Sequence, residues 1–152
     1  MSIKYKIVSF FVLLIIVIQF YPVDKPVIIN KNPNDLIAAT SPSNKIALKI
    51  KNACYDCHSN ESKLPWYSNL APSKWLVYDH IIEGRNELNL SNWNTYNKED
   101  KAEILDDIST VLYDNEMPLK NYTLLHSEAK LTEEDKELII IWTDDLLYSL
   151  YQ

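Results

Sequence analysis

The sequence predicts an all-α fold, and three observations predict it. The 152 residues contain one glycine, Gly84, where average usage would supply roughly ten. Two-residue β-hairpin turns draw on Asn-Gly, Asp-Gly or Gly-X pairs, and none lies between apolar runs here. Four stretches repeat apolar residues at three- and four-residue spacing, the period of a half-buried helix. The lone glycine also excludes a dinucleotide fingerprint or a phosphate-cradling loop, since both need several glycines. Acids outnumber bases 21 to 15, a formal net charge of −6. Nucleic-acid binding takes its affinity from clustered Lys and Arg on phosphates, so no nucleic-acid partner is expected.

Residues 1–23 read as an N-terminal membrane anchor. Lys4 and Lys6 precede an apolar run, Ile7–Tyr21, broken only by Ser9 and Gln19. The positive-inside tendency keeps the two lysines cytoplasmic and puts everything after Pro22 outside. The exit, Gln19-Phe20-Tyr21-Pro22-Val23, lacks the small residues of a signal-peptidase site, and no cysteine there accepts a lipid. An uncleaved single-pass transmembrane helix is therefore favoured. A cleaved signal peptide is the alternative, and a buried core helix fits poorly with the basic start.

Residues 24–44 carry Pro26, Pro33 and Pro42 among Asn, Lys and Ser, which predicts an extended tether without a core. Residues 45–152 form the folded domain. Its first helix runs from about Ser43 to Ala53, on Ile46, Ala47, Ile50 and Cys54. A second starts at Pro72 and runs through Trp75, Leu76, Tyr78, Ile81 and Ile82 to about Asn86. Asn97 caps a third on Ala102, Leu105, Ile108, Val111 and Leu112, which ends before Pro118. The last begins at Thr132 with Glu133, Glu134 and Asp135, acids suited to the positive helix end.

Cys54-Tyr55-Asp56-Cys57-His58 is C-x-x-C-H, the covalent haem attachment sequence. Two thiols three residues apart on one helical turn reach the two vinyl groups of a single haem, and the next residue brings an imidazole to the iron. The rivals are weaker. A zinc site needs about four ligands, and only His80 and His126 remain, far apart in sequence. A thioredoxin-like dithiol expects flanking strands and no histidine directly after it. One covalent haem c is the expected cofactor, with His58 as proximal ligand. Met117, in the proline-terminated Glu116-Met117-Pro118 loop, is the only internal methionine and the expected sixth ligand, a pairing that raises the potential and suits electron transfer. His80 and His126 are the alternatives. The second ring nitrogen of His58 should donate to a carbonyl, with Leu64-Pro65 as the expected source. Arg85 is a candidate propionate partner, and Trp66 and Trp93 are candidate propionate donors; the competing readings are an exposed helix-end cation and core aromatics. Gly84 either ends the second helix or lets its backbone approach a neighbour.

The order of these features resembles a class I cytochrome c. More specifically, Cys57-His58-Ser59-Asn60, Pro65-Trp66-Tyr67-Ser68, Ala71-Pro72, Trp75-Leu76-Val77, His80, Glu83-Gly84-Arg85, Leu88-Asn89, Ser91-x-Trp93, Met117-Pro118 and Tyr122-x-x-x-His126 are similar to the bacterial haem-binding domain family of membrane-anchored mono-haem proteins, over roughly residues 45–142. The resemblance implies a small cytochrome c-like helical domain after an N-terminal transmembrane helix, on the periplasmic face of a bacterial inner membrane. It also implies Cys54 and Cys57 as attachment points, His58 as proximal ligand and Met117 as distal ligand. It names no reaction and no redox partner protein. A single-electron carrier is the first reading; a peroxidase-like haem enzyme or small-ligand sensor with an open distal site is the second, and a haem-storage module the third. Lys45, Lys49, Lys51, Lys63 and Lys120 lie close in sequence to these ligands and would steer an acidic partner if they rim the haem edge.

Overall fold

Four long helices, two of them packed on each other, set the frame, and short pieces between them shape the site. The computed structural model describes residues 2–152; Met1, at the start of the expected anchor, lies outside them. Among the described residues there are eight α-helices, three 3-10 turns and no strand. The helices are α1 (Ile3–Gln19), α2 (Leu36–Thr40), α3 (Asn44–Ala53), α4 (Tyr55–His58), α5 (Ser73–Glu87), α6 (Lys98–Tyr113), α7 (Lys120–Leu125) and α8 (Glu133–Ser149).

The capping residues act as the sequence suggests. Ser43 accepts from Ile46 N, Asn97 from Asp100 N at 2.7 Å, and Thr132 from Asp135 N, with the Asp135 carboxylate receiving Thr132 N in return. That reciprocal box satisfies two otherwise orphaned backbone donors. Helices α6 and α8 make the most extensive helix pair. At its centre Thr143 is fully buried, and its Oγ1 meets Ser109 Oγ at 2.7 Å. Around this pair Ile46, Ile50, Tyr55, Trp93, Leu105, Leu112 and Ile139 form one buried core.

The stretch 24–44 departs from the expected tether. Leu36 is completely buried in that core. Asp35 caps α2 through Ile37 N and Ala38 N, and the same oxygen accepts from Tyr55 Oη at 2.8 Å. Upstream, Ile29 N donates to Asn60 O at 2.8 Å. Prolines deny this stretch a long helix, but one apolar side chain and one capping carboxylate suffice to fold it onto the domain.

Helix α1 buries no residue against the domain. No helix among the described residues is long and apolar enough to cross a membrane. The end of α1 is nevertheless fixed: Gln19 donates to Ala71 O at 3.1 Å and accepts from Ala71 N at 2.9 Å.

Candidate functional site

Tyr55 orients the C-x-x-C-H segment. The backbone breaks at Cys54, whose φ of −120° ends α3, and α4 begins at once. Tyr55 is buried and bonded to Asp35, so in a four-residue helix Cys57, two positions on, turns to the other side. Cys57 N and His58 N both donate to Cys54 O, at 3.2 and 2.9 Å, which keeps the two cysteines on one turn. Ser59 closes α4, its hydroxyl donating to Tyr55 O at 2.8 Å and accepting from Glu61 N. Both cysteines are free thiols, partly buried. Cys54 packs against the edge of the core.

Burial, and then the neighbouring Cys57, pushes the Cys54 thiol up to about 12. Burial and Asp56 push Cys57 up to about 11 against the opposing pull of Arg85. A redox dithiol works through a depressed, thiolate-forming cysteine, the reverse of what is found. Among the described residues no three His, Cys, Asp or Glu side chains converge as metal ligands, and a tetrahedral zinc site needs four.

His58 is held by α5. Its Nδ1 lies 2.8 Å from Gly84 O and 3.3 Å from Leu88 O. Both partners are carbonyls and only accept, so Nδ1 carries the hydrogen and Nε2 keeps its lone pair. Burial lowers the pKa of the ring, opposed by these two hydrogen bonds and by Glu87. The result is a neutral imidazole with a metal-ready nitrogen. The expected carbonyl partner exists, but α5 supplies it rather than Leu64-Pro65. Gly84 does not end its helix, which continues to Glu87. It lets α5 approach α4, since a Cβ there would stand 3.0 Å from Cys57 O and 3.1 Å from Cys57 Cβ.

A cavity of about 320 Å³ lies beside this joint, and Cys57, His58, His80, Gly84, Met117 and Tyr122 are among its walls. A second, of about 160 Å³, shares Asp56, Cys57, His80, Leu119 and Tyr122 with it and adds Tyr67, Leu76, Ile81 and His126. Met117 reaches the first cavity because the chain doubles back after α6: Glu116 N and Met117 N both donate to Val111 O, at 2.9 and 3.2 Å. Asn115 turns the chain with φ of 62°, and Lys136 ties it to α8 by donating to Asn115 Oδ1.

The remaining candidates divide. His80 faces both cavities. His126 lines only the smaller, and both its nitrogens are engaged. Its Nδ1 donates to Tyr122 O at 3.0 Å, and its Nε2 receives Tyr67 Oη at 3.3 Å. Arg85, Trp66 and Trp93 line neither cavity. Three Arg85 donors are taken by Ser59 O, Val27 O and Ser62 Oγ, all between 2.8 and 2.9 Å, so its work is to fasten the loop after His58 to α5 and to the 24–44 stretch. Trp93 belongs to the core, and Trp66 stands at the surface.

Sequence reasoning missed Asp56, Tyr67 and Tyr122. Tyr122 Oη donates to Asp56 Oδ2 at 2.7 Å, while Lys63 N holds Oδ1 at 2.9 Å, so the second x of C-x-x-C anchors α7 over the cavity. Burial and this carboxylate raise the Tyr122 pKa far above its ordinary value, so the phenol stays a donor. The signal was the Tyr122-x-x-x-His126 spacing, which stacks the two rings with centroids 4.1 Å apart.

The donor set suits a haem: a neutral imidazole with a free Nε2, two protonated thiols on one turn, of which Cys57 lines the cavity and Cys54 lines neither cavity but packs against the core, a thioether on the same cavity as the imidazole, and a wall that joins Ala53, Pro118 and Leu119 to the carboxylates of Asp56, Glu83 and Glu87. Neither a curated protein nor a solved structure matches the chain. A family model for a haem-binding domain matches residues 13–145. That span covers most of the sequence and includes every residue of the cavity described above, and the chain belongs to the haem-binding domain family.

Proposed function

We propose that the chain is a membrane-tethered c-type cytochrome that carries single electrons on the periplasmic side of a bacterial inner membrane. The observation that carries this reading is His58 fixed by the Gly84 carbonyl, with Nε2 left over on a cavity whose wall also includes Met117. Cys54 and Cys57 would hold one haem through thioethers, and His58 and Met117 would ligate its iron. The haem supplies a one-electron couple. The rest is done by residues of the chain. The Gly84 hydrogen bond fixes the tautomer of His58 and raises its basicity as a ligand. Asp56 holds Tyr122, and with it α7, against the cavity. Pro118 and Leu119 supply an apolar part of its wall beside Asp56, Glu83 and Glu87, and both burial and that charge would tune the potential.

Helix α1 supports the tether. Its residues from Ile7 to Ile18 are apolar apart from Ser9 and carry no charge; its 17 residues fall short of a full ~20-residue span, so the tether rests on this apolar run behind Lys4 and Lys6 rather than on helix length. One observation favours a second reading, a haem enzyme or sensor: His80 borders the same cavity as His58, where it would serve as a distal acid or base. The oxidised protein decides between them. A weak near-infrared sulfur-to-iron absorption that Met117→Ala erases, together with reversible one-electron voltammetry and a lower potential in the variant, is the expected result. A high-spin spectrum that binds cyanide quickly would overturn the carrier reading, and a low-spin spectrum that collapses in His80→Ala would make the ligation bis-histidine.

A further inference from the structure

The junction between α1 and α5 leaves little freedom to the domain. The Gln19 side chain bonds both the N–H and the C=O of Ala71, and Lys74 Nζ donates to Gln19 O at 2.9 Å and Tyr21 O at 3.2 Å. Tyr21 packs edge-on against Trp75, centroids 5.7 Å apart. The end of the apolar helix is therefore clamped to the first turn of α5 rather than joined to it by a loose chain.

Around that clamp lies an apolar surface with no partner in the chain. Trp66, Leu70, Leu76, Leu124 and Leu125 are exposed, from 49% for Leu70 to 78% for Leu124. Leu70 precedes Ala71, Ser73 Oγ bonds the carbonyls of Tyr67 and Leu70, and Leu76 and Leu125 border one cavity with Pro65. Monomeric soluble proteins rarely expose such a patch without a use for it.

We propose that this face rests on the phospholipid surface, at the boundary of headgroups and acyl chains, an inference that rests on the reading of α1 as the membrane anchor. The 17 residues of α1 rise about 25 Å, short of the ~30 Å hydrocarbon core. Gln19 then ends at or just inside that boundary, and whatever is bonded to it sits at headgroup depth. Ala71 is bonded to it, and Leu70 and Trp66 are beside Ala71. An exposed tryptophan with leucines is the composition that partitions there. Leu76 and Leu125, which border the smaller cavity, then lie on the lipid side.

Photo-crosslinking of the full chain tests this, in phosphatidylcholine and phosphatidylglycerol vesicles that contain a diazirine phosphatidylcholine. Flotation after an alkaline wash and labelling of α1 report the anchor. Labelling of the segments 66–76 and 119–125 reports the face, with 133–149, on α8, as the water-facing reference. The expected result is labelling of both segments several-fold above the reference, as for a surface in contact with acyl chains. The pair Trp66→Ser and Leu124→Ser should lower it while α1 stays labelled. A floating chain with α1 labelled and both segments at the reference level would overturn the proposal and leave the anchor standing. A chain that leaves the vesicles with α1 unlabelled would overturn the anchor itself.

Discussion

Gly84 has two duties at one position: its bare Cα admits Cys57, and its carbonyl receives the Nδ1 hydrogen of His58. Alanine would gain about 1 kcal/mol of helix propensity. Its Cβ, however, would meet backbone atoms of Cys57 at 3.0 and 3.2 Å, which have no flexible end to swing away, and overpacking of that kind costs about 1–3 kcal/mol. Gly84→Ala is thus expected to lower stability in urea unfolding and to loosen the His58 hydrogen bond; a variant more stable than the parent would contradict the close packing of α4 on α5. The candidate residues stand out where the pattern is local in sequence. C-x-x-C-H fixes its own geometry within one turn, and Met117 stood out as the only internal methionine. The partner of His58 was not legible, because the acceptor lies 26 residues away on another helix. Arg85 misled for a related reason. A guanidinium near a haem motif suits a propionate, but the same fork suits the carbonyls of Ser59 and Val27.

At the scale of elements, the long helices were readable because α3, α5, α6 and α8 each repeat an apolar stripe over several turns or begin at a strong cap. The short ones were not. Helices α2, α4 and α7 span one or two turns, too few for a period to show. The cap of α8 gives two measurements. Thr132→Ala removes the side-chain acceptor for Asp135 N and should cost about 1 kcal/mol. Asp135 is buried and receives Lys49 Nζ at 2.7 Å. That bond first, with the Thr132 donors after it, holds its carboxyl down at about 2. A carboxyl depressed in the folded state stabilises fully above its unfolded value of ~3.9, and this contribution drains away as pH falls from there toward about 2. In Asp135→Asn the unfolding midpoint should be lower near neutrality and should change less over that acid range; a parallel decline in both proteins would remove Asp135 from the account.

For the molecule as a whole, the boundary of the domain moves. The prolines of 24–44 suggested a tether, yet Leu36 is as deeply buried as any core residue, because the role of a single apolar side chain depends on where the chain folds back. Leu36→Ala should cost about 2–5 kcal/mol, read from denaturant unfolding, and a chain begun at residue 45 should be destabilised further by losing the Val27 and Asp35 contacts as well; unchanged stability in either would restore the tether. The charge pattern also reads differently when folded. Lys45, Lys49 and Lys51 pair with Glu134, Asp135 and Glu61, which weakens the case for a lysine rim that steers an acidic partner. The central claim is that one haem is carried covalently on the turn Cys54–His58. Haem staining after denaturing electrophoresis, with the mass of the stained chain, tests it most directly. The account predicts stain and the mass of one haem on the parent chain, and neither when Cys54 and Cys57 are both replaced by Ala; stain retained in full by that double variant would contradict it.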